Sequence, residues 1–197
     1  MALKSVKQLG SSLVEFMIAA LLGGIALTIV GSVFLSNQKS AAVHSQQILL
    51  QQQISGVLHQ IKIDIQRAGY NGVTSESLQL SATDEVVYSQ PTKIGYVYRL
   101  SPNSVSNTLY RLDNGRLQYC QQEKPSPLTV VELIDKPCFD LFDSKQVKIE
   151  KFDIELSKLV GNNTQSAFIK LTISAHLVGN KEISHQQTIS ILQRNWQ

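Results

Sequence analysis

One carboxylate, Glu15, lies inside a long apolar segment near the start of the chain. No Asp, Glu, Lys or Arg occurs between Phe16 and Gln38, so the segment supplies no positive side chain of its own. A charge costs roughly 2.5–3.5 kcal/mol at the centre of a bilayer and less near the interface, and such groups usually have a functional partner. We therefore expect Glu15 to pair with a positive group of another chain.

Two cysteines, Cys120 and Cys138, enclose a 17-residue loop, Gln121 to Pro137. In an oxidising compartment a disulfide across such a loop contributes about 3 kcal/mol of stability. The alternatives are two reduced buried cysteines or a pair of metal ligands, although no histidine cluster is close in sequence. The spacing predicts a disulfide, and the loop holds three of the five prolines of the chain. We regard this loop as a candidate for contact with a partner.

The sequence contains none of the common catalytic signatures. G-x-S-x-G, the phosphate-binding loop, H-E-x-x-H and C-x-x-C are all absent. His44 and His59 fall on a predicted helix, and His176 and His185 on a predicted terminal hairpin, where each is expected to be an ordinary polar residue. We predict that the protein is not an enzyme.

Three acids, Asp135, Asp140 and Asp143, are close enough in sequence to raise the alternative of a calcium site. Hard cations take six to eight oxygen ligands, and three carboxylates fall short of that number. We predict that the protein has no metal site and needs no cofactor.

Composition narrows the class of protein. The 197 residues are 43% hydrophobic and 17% charged, which excludes a disordered chain and fits one domain with an appendage. Of the formal net charge of +3, two positive charges, Lys4 and Lys7, lie in the first ten residues. The rest of the chain therefore has no basic field, and we expect no direct binding of nucleic acid.

The apolar segment has the length of a membrane span. Phe16 to Leu35 is almost wholly apolar or small, and twenty helical residues cover about 30 Å, the thickness of a bilayer's hydrocarbon core. Because Lys4 and Lys7 precede it, residues 1–10 should be cytoplasmic and the chain after about Lys39 should be outside. The run is too long for a secretory signal and has no clear cleavage site at its end, which favours a retained anchor in contact with lipid.

The segment from Leu9 to Ala19, L-G-S-S-L-V-E-F-M-I-A, resembles the class III signal of type IV prepilins, G-F-[ST]-L-V-E followed by apolar residues. The resemblance implies that prepilin peptidase cuts after Gly10 and N-methylates the new terminus, Ser11. It also implies that Glu15, fifth in the mature chain, pairs with the terminal amine of a neighbouring subunit. Ser11 replaces the usual Phe, and the first helix lacks the proline of many major pilins.

Two further segments are similar to a narrower family. Residues 61–70, I-K-I-D-I-Q-R-A-G-Y, resemble the L-x-x-D-[LI]-R-x-A-G-[YF] segment of PilW-like minor pilins and of J-type minor pseudopilins of type II secretion. Residues 187–195 resemble the family's terminal T-x-[VI]-x-L-R-N. The resemblance implies four kinds of protein partner: prepilin peptidase, other minor pilins, the major pilin and the inner-membrane assembly platform.

Helical periodicity continues beyond the membrane segment. Gly69 is expected to end the helix, and Tyr70 to pack it onto the following domain. Residues 40–61 carry no charge and six glutamines, which suits a helix packed among other helices, although glutamine also forms helices well on a wet surface. Apolar residues recur at steps of three and four, at Leu50, Ile54, Val57, Ile61, Ile65 and Ala68.

The remainder of the chain predicts antiparallel strands. Residues 94–100 alternate as a half-buried strand should, and Asn114-Gly115 predicts a type I′ hairpin turn within residues 108–119. Apolar alternation over residues 147–156 changes phase at Lys151, which indicates a bulge or a break. Residues 169–177 predict the clearest strand, turning at Gly179-Asn180 to pair with residues 183–192.

These elements predict an α+β, pilin-like fold, a long N-terminal helix packed on a mainly antiparallel β head. The predicted regions are a cytoplasmic leader (1–10), a transmembrane and assembly helix (11–38), an amphipathic helical extension (39–69) and a β-rich head (70–197).

The resemblance implies a minor pilin that initiates or caps a type IV pilus with other minor pilins. It would lie in the bacterial inner membrane with a periplasmic head, and after assembly in the pilus, at or near the tip. The alternatives are a minor pseudopilin of type II secretion and a plain membrane-anchored periplasmic binding protein or enzyme.

Overall fold

The computed structural model of the protein describes residues 13–161 and 165–194. A 53-residue helix, α1 (Leu13–Ile65), is followed by eight strands and one short helix. The chain divides into two compact units, Met1–Ser45 and Gln46–Gln197, and α1 contributes to both. Each unit has its own organisation.

In the first unit, α1 is apolar and none of its most apolar window is buried. By length and composition the helix can cross a membrane. Two of its hydroxyl groups bond within the helix: Thr28 Oγ1 donates to the Ile25 carbonyl at 2.7 Å, and Ser32 Oγ donates to the Ile29 carbonyl at 2.8 Å. Such internal bonds suit a helix in surroundings that offer no water.

In the second unit, α1 buries one face. The buried face runs through Leu58, whereas the sequence pattern indicated Val57, which is only half-buried. The helix ends at Ile65 and is followed by a turn that ends at Gly69, whose φ of +78° is readily adopted by glycine. The buried residues of the helix follow steps of four, four, three and four: Leu50, Ile54, Leu58, Ile61 and Ile65.

Five antiparallel strands form the first sheet in sequence order. The strands are β1 (Val87–Gln90), β2 (Lys93–Ser101), β3 (Ser104–Asp113), β4 (Arg116–Lys124) and β5 (Phe139–Asp140). Asn114 and Gly115, with φ of 50° and 78°, make the turn between β3 and β4, and the predicted hairpin is confirmed. The short helix α2 (Val130–Ile134) lies between β4 and β5.

Three longer antiparallel strands form the second sheet, β6 (Val147–Val160), β7 (Gln165–Leu177) and β8 (Asn180–Leu192). The register of β6 against β7 shifts between Ile149 and Lys151, so the predicted change of phase is a bulge inside one strand. β8 begins at Asn180, directly opposite Leu177, which places the turn one residue earlier than predicted.

The core of the second unit has two parts. The larger contains the buried face of α1 and one face of each sheet. The smaller covers the other face of the first sheet with Leu80 and Leu133 from the loops and α2. The start of β2 is therefore buried on both faces, Tyr96 on one and Val97 on the other, and the prediction of a half-buried strand is wrong there.

A long apolar N-terminal helix and an antiparallel β head are thus both present, and the predicted α+β, pilin-like fold class is confirmed.

Candidate functional site

Glu15 lies in the first turn of α1, where the positive end of the helix dipole favours a carboxylate. Its sequence neighbours Val14 and Phe16 are 60% and 70% exposed. The predicted cleavage and methylation positions, Gly10 and Ser11, lie outside the described residues. Glu15 is therefore a carboxylate on an apolar helix surface, close to where the leader motif ends.

The apolar surface around Glu15 extends from Leu13 to Leu35. Exposed apolar surface on this scale marks contact with lipid or with other proteins. The exposed side chains are Leu13, Val14, Phe16, Met17, Ile18, Leu21, Leu22, Ile25, Leu27, Ile29, Val30, Val33, Phe34 and Leu35.

In the second unit, the helix is fixed to the first sheet by a hydrogen bond. Tyr110 on β3 is fully buried, and its hydroxyl donates to Asp64 Oδ2 at 2.7 Å. Burial, reinforced by the Asp64 carboxylate, holds the pKa of Tyr110 well above its usual value, so the hydroxyl stays protonated and remains a donor. The acidic position of the 61–70 segment thus has a structural role in this chain.

Tyr110 belongs to a cluster of tyrosines on the same side of the first sheet. Its ring centroid lies 5.0 Å from that of Tyr119, and the rings of Tyr96 and Tyr98 stack at 6.4 Å. Burial, followed by the charge of Asp64, raises the pKa of Tyr119 to about 12, and burial also raises the pKa of Tyr96. These tyrosines stay neutral at ordinary pH and act as packing and hydrogen-bonding groups.

The turn after α1 is tied to the first sheet through its backbone. The Gly69 amide donates to the Val97 carbonyl at 2.9 Å, and the Arg99 amide donates to the Tyr70 carbonyl at 2.8 Å. The Tyr70 side chain is 54% exposed. The expectation that this ring packs the helix onto the head is wrong, because the backbone on either side of it makes the connection.

Cys120 and Cys138 form a disulfide that closes the proline-containing loop. The loop is also held to the first sheet, since the Leu128 amide donates to Asn107 Oδ1 at 2.8 Å and the Ser81 amide donates to the Leu128 carbonyl at 3.0 Å. Asn107 lies on β3 and is fully buried, and its side chain anchors this loop to the sheet. The loop is therefore an ordered part of the head.

Helix α2, inside the same loop, begins with a capping box. The Thr129 amide donates to Glu132 Oε2 at 2.7 Å, and the Glu132 amide donates to Thr129 Oγ1 at 3.2 Å. These bonds from Thr129 hold the pKa of the Glu132 carboxyl below its usual value. Val131 on α2 and Phe139 just after Cys138 are each 67% exposed, so the loop presents apolar side chains at the surface.

Of the three acids that raised the alternative of a calcium site, Asp140 and Asp143 have other partners for their carboxylates. Asp140 Oδ1 accepts from Gln118 Nε2 at 3.0 Å, and Asp143 Oδ1 accepts from the Lys145 amide at 2.9 Å. Asp135 caps the end of α2. Within residues 13–161 and 165–194, no group of three or more His, Cys, Asp or Glu side chains could hold a metal ion.

Comparison with known proteins gives one match. The model of the family described as PpdB, prepilin peptidase-dependent protein B, matches residues 43–193. No curated protein and no solved structure matches the chain. The matched segment contains the tyrosine cluster, the disulfide loop and both sheets, but not the leader motif of residues 9–19. The leader motif and the family match are therefore separate observations.

Proposed function

Because the chain belongs to the prepilin peptidase-dependent protein B family, and is thus related to type IV pilins, we propose that it is a minor pilin. Prepilin peptidase would cut it after Gly10 and N-methylate Ser11. With other minor pilins it would then initiate or cap assembly of a type IV pilus. The observation that carries the proposal is the exposed apolar half of α1, with Glu15 in its first turn, directly after a prepilin-like leader.

The chemistry of Glu15 explains how such a helix can find its place in an assembly. Apolar side chains give no preferred axial position, because sliding one smooth apolar helix along another changes the buried area little. A carboxylate that must meet the terminal amine of a neighbouring subunit defines one register. Breaking such a pair costs about 3–5 kcal/mol when one charge is left buried alone. Glu15 would therefore set the register, and the apolar surface would supply the affinity.

Partners and location follow from the same reasoning. Before assembly the apolar half of α1 would lie in the bacterial inner membrane, with lipid around it and the head in the periplasm. There the chain would meet the peptidase and the assembly platform, and later the major pilin and other minor pilins, at or near the pilus tip. The disulfide of the head supports a periplasmic location, because such bonds persist in oxidising compartments.

The role proposed here is structural, with no catalysis, metal or cofactor. Family membership supports it, since pilin-related proteins are generally structural. Asp64 on α1 and the buried Tyr110 on β3 are engaged with each other and hold α1 to the sheet.

The proposal is tested with Glu15→Ala, with Glu123→Ala on the exposed part of β4 as the matched control. In the native host we expect Glu15→Ala to be processed normally but to be lost from sheared pili, while the control is retained. Glu15→Gln keeps the size of the side chain and should fail in the same way, because it lacks the charge. Normal incorporation of both Glu15 variants would contradict the proposal.

A minor pseudopilin of type II secretion is the second candidate, because the 61–70 segment also resembles J-type pseudopilins. Deletion of the gene separates the two: loss of pili with normal secretion supports the pilus, and loss of secretion with normal pili supports the pseudopilus. A plain anchored periplasmic binding protein or enzyme predicts that neither changes.

A further inference from the structure

The outer edge of β8 is a long row of backbone groups that no strand of the described residues pairs with. β8 is the last strand of its sheet and pairs with β7 alone. The Gln193 amide donates to the Ala167 carbonyl at 2.9 Å, and inward and outward groups alternate along an antiparallel strand. Five residues therefore point their N–H and C=O groups away from β7: Ser184, Gln186, Thr188, Ser190 and Leu192.

The two edges of this sheet differ in charge. β6, at the opposite edge, has a bulge and a bond from the Ile149 amide to the Gly115 carbonyl, and it carries both positive and negative side chains. Charges and bulges are how proteins protect a free edge from pairing with other chains. From Ile183 to its end at Leu192, β8 has no Asp, Glu, Lys or Arg, no proline and no glycine. The charged residues of β6 are Lys148, Glu150, Lys151, Asp153, Glu155 and Lys158.

Exposed apolar side chains lie beside one end of the β8 edge. Leu192 pairs across the sheet with Phe168, and the two are 48% and 41% exposed on the face opposite the main core. Leu159 lies on the same face, because it is opposite Ser166, two residues before Phe168 on β7. The exposed backbone ladder thus ends beside an exposed apolar cluster.

On the other face, the main core ends at β8. Ile183 and Ile191 are buried, whereas the three side chains between them on this face, His185, Gln187 and Ile189, are only half-buried, and Ile189 packs against the core. Another strand laid along β8 would cover this margin of the core as well as the outward N–H and C=O groups.

From these observations we infer that the β8 edge is a docking site for an extended strand of a partner protein. A row of alternating N–H and C=O groups is matched by another extended backbone. The partner segment would be uncharged over about five residues, because a charge placed beside Leu192 and Phe168 would lose water without gaining an ion pair. It would carry an apolar side chain opposite Leu192.

A second copy of this chain fits the edge less well than a different protein. An antiparallel β8–β8 pair centred on Thr188 places Leu192 opposite Ser184, so the apolar cluster meets a hydroxyl. Centring the pair on Leu192 instead places Ser190 opposite Arg194 and moves Ser184 beyond the partner copy's β8. Self-pairing therefore satisfies either the backbone ladder or the apolar cluster, but not both.

Strand addition can be tested with the full-length protein in detergent micelles. The probe is a fluorescent peptide of alternating threonine and valine, with leucine at the position opposite Leu192. We expect saturable binding, and at least tenfold weaker binding for the same peptide with alternate amides N-methylated. Absence of saturable binding, or equal binding of the methylated peptide, would overturn the inference.

Two variants at one position separate backbone from side chain. Gln186→Pro removes an outward N–H that β7 does not use, which an edge strand tolerates, and should weaken peptide binding at least tenfold. Gln186→Ala keeps the N–H and should bind as the unmodified protein does. Gln186→Lys, a charge on the edge, is the second blocking variant if the proline variant has a lowered melting temperature. Equal binding by all three would also overturn the inference.

The remaining outcomes show whether a second copy of the chain or a different protein binds to the β8 edge. If the unmodified protein forms concentration-dependent dimers that Gln186→Lys abolishes, the edge binds a second copy, and the assignment to a different protein is wrong. A protein that stays monomeric and binds the peptide supports it. None of these measurements depends on N-terminal processing. A failure to bind the peptide would therefore not contradict the proposed minor-pilin role. Evidence against the minor-pilin role would likewise not contradict strand docking at β8.

Discussion

The two halves of α1 place their apolar side chains in different surroundings. Leu22, in the first unit, is 60% exposed, whereas Leu58, in the second, is fully buried in the main core. Five apolar residues of the second half lie along one stripe and pack against the strands of the head. The first half is apolar all round, which is typical of a helix that is covered by lipid or by other chains. One helix therefore serves two environments.

The largest expected difference between the halves is in stability. Leu58→Ala should lower the free energy of unfolding of the head by about 4 kcal/mol, because it leaves a cavity in a close-packed core. The matched Leu22→Ala variant should leave the free energy of unfolding unchanged. Chemical denaturation of the full-length protein in detergent, followed by the fluorescence of its tyrosines, measures both. Equal destabilisation by the two variants would show that the halves are not distinct.

The disulfide should matter to the head alone. The double variant Cys120→Ser and Cys138→Ser should lose about 3 kcal/mol of stability, because the unfolded chain is no longer restricted by the closed loop. The first half of α1 has no part in this loop, so insertion into the membrane should be normal. Denaturation under the same conditions gives the stability, and membrane fractionation gives the insertion. A variant that failed to reach the membrane would show that the two regions depend on each other.

The hydrogen bond between Tyr110 and Asp64 should have a smaller effect. Tyr110→Phe removes the donor to a carboxylate and should cost about 2 kcal/mol. Tyr70→Phe, on a half-exposed ring, should cost almost nothing. Thermal unfolding of the two variants side by side tests the contrast, and similar melting temperatures would contradict it.

The same bond predicts a dependence on pH. In the folded protein the pKa of Tyr110 is held above the unfolded value of about 10. The unfolded state therefore releases its proton first, so this contribution is complete below about pH 10 and is lost as the pH rises above it. Unfolding at a series of alkaline pH values should show a steeper loss for the unmodified protein than for Tyr110→Phe. An equal loss of stability in the two proteins as the pH rises would show that Tyr110 does not cause this dependence on pH.

Local signals in the sequence predicted local structure well. Asn114-Gly115 specified its hairpin turn because both positions require positive φ, and the change of phase at Lys151 located the bulge. The helical stripe was correct except that Leu58 takes the buried place assigned to Val57. Val57 and Leu58 lie three and four residues after Ile54, so both fit a helical stripe. Which of them is buried depends on the element that the helix packs against.

Long-range features could not be predicted from the same signals. The second face of the first sheet is covered by a loop and by α2, and no repeating pattern in the sequence predicts this contact. Asn107 is a polar residue in the middle of β3 that is buried because the backbone near Leu128, twenty-one residues later, satisfies its amide. The Tyr110–Asp64 bond likewise joins residues 46 positions apart. Such sites depend on which elements contact each other in the fold, and local patterns in a single sequence do not specify those contacts.

The central claim is that the apolar first half of α1 is the assembly helix of a processed pilin-related protein. The most direct test is the intact mass of the chain extracted from its native membrane. We predict a chain that begins at N-methylated Ser11, and an unprocessed chain for Gly10→Val. Gly23→Val should be processed normally, since the helix has open space at Gly23. An unmodified chain that keeps residues 1–10 in cells with active prepilin peptidase would contradict the claim.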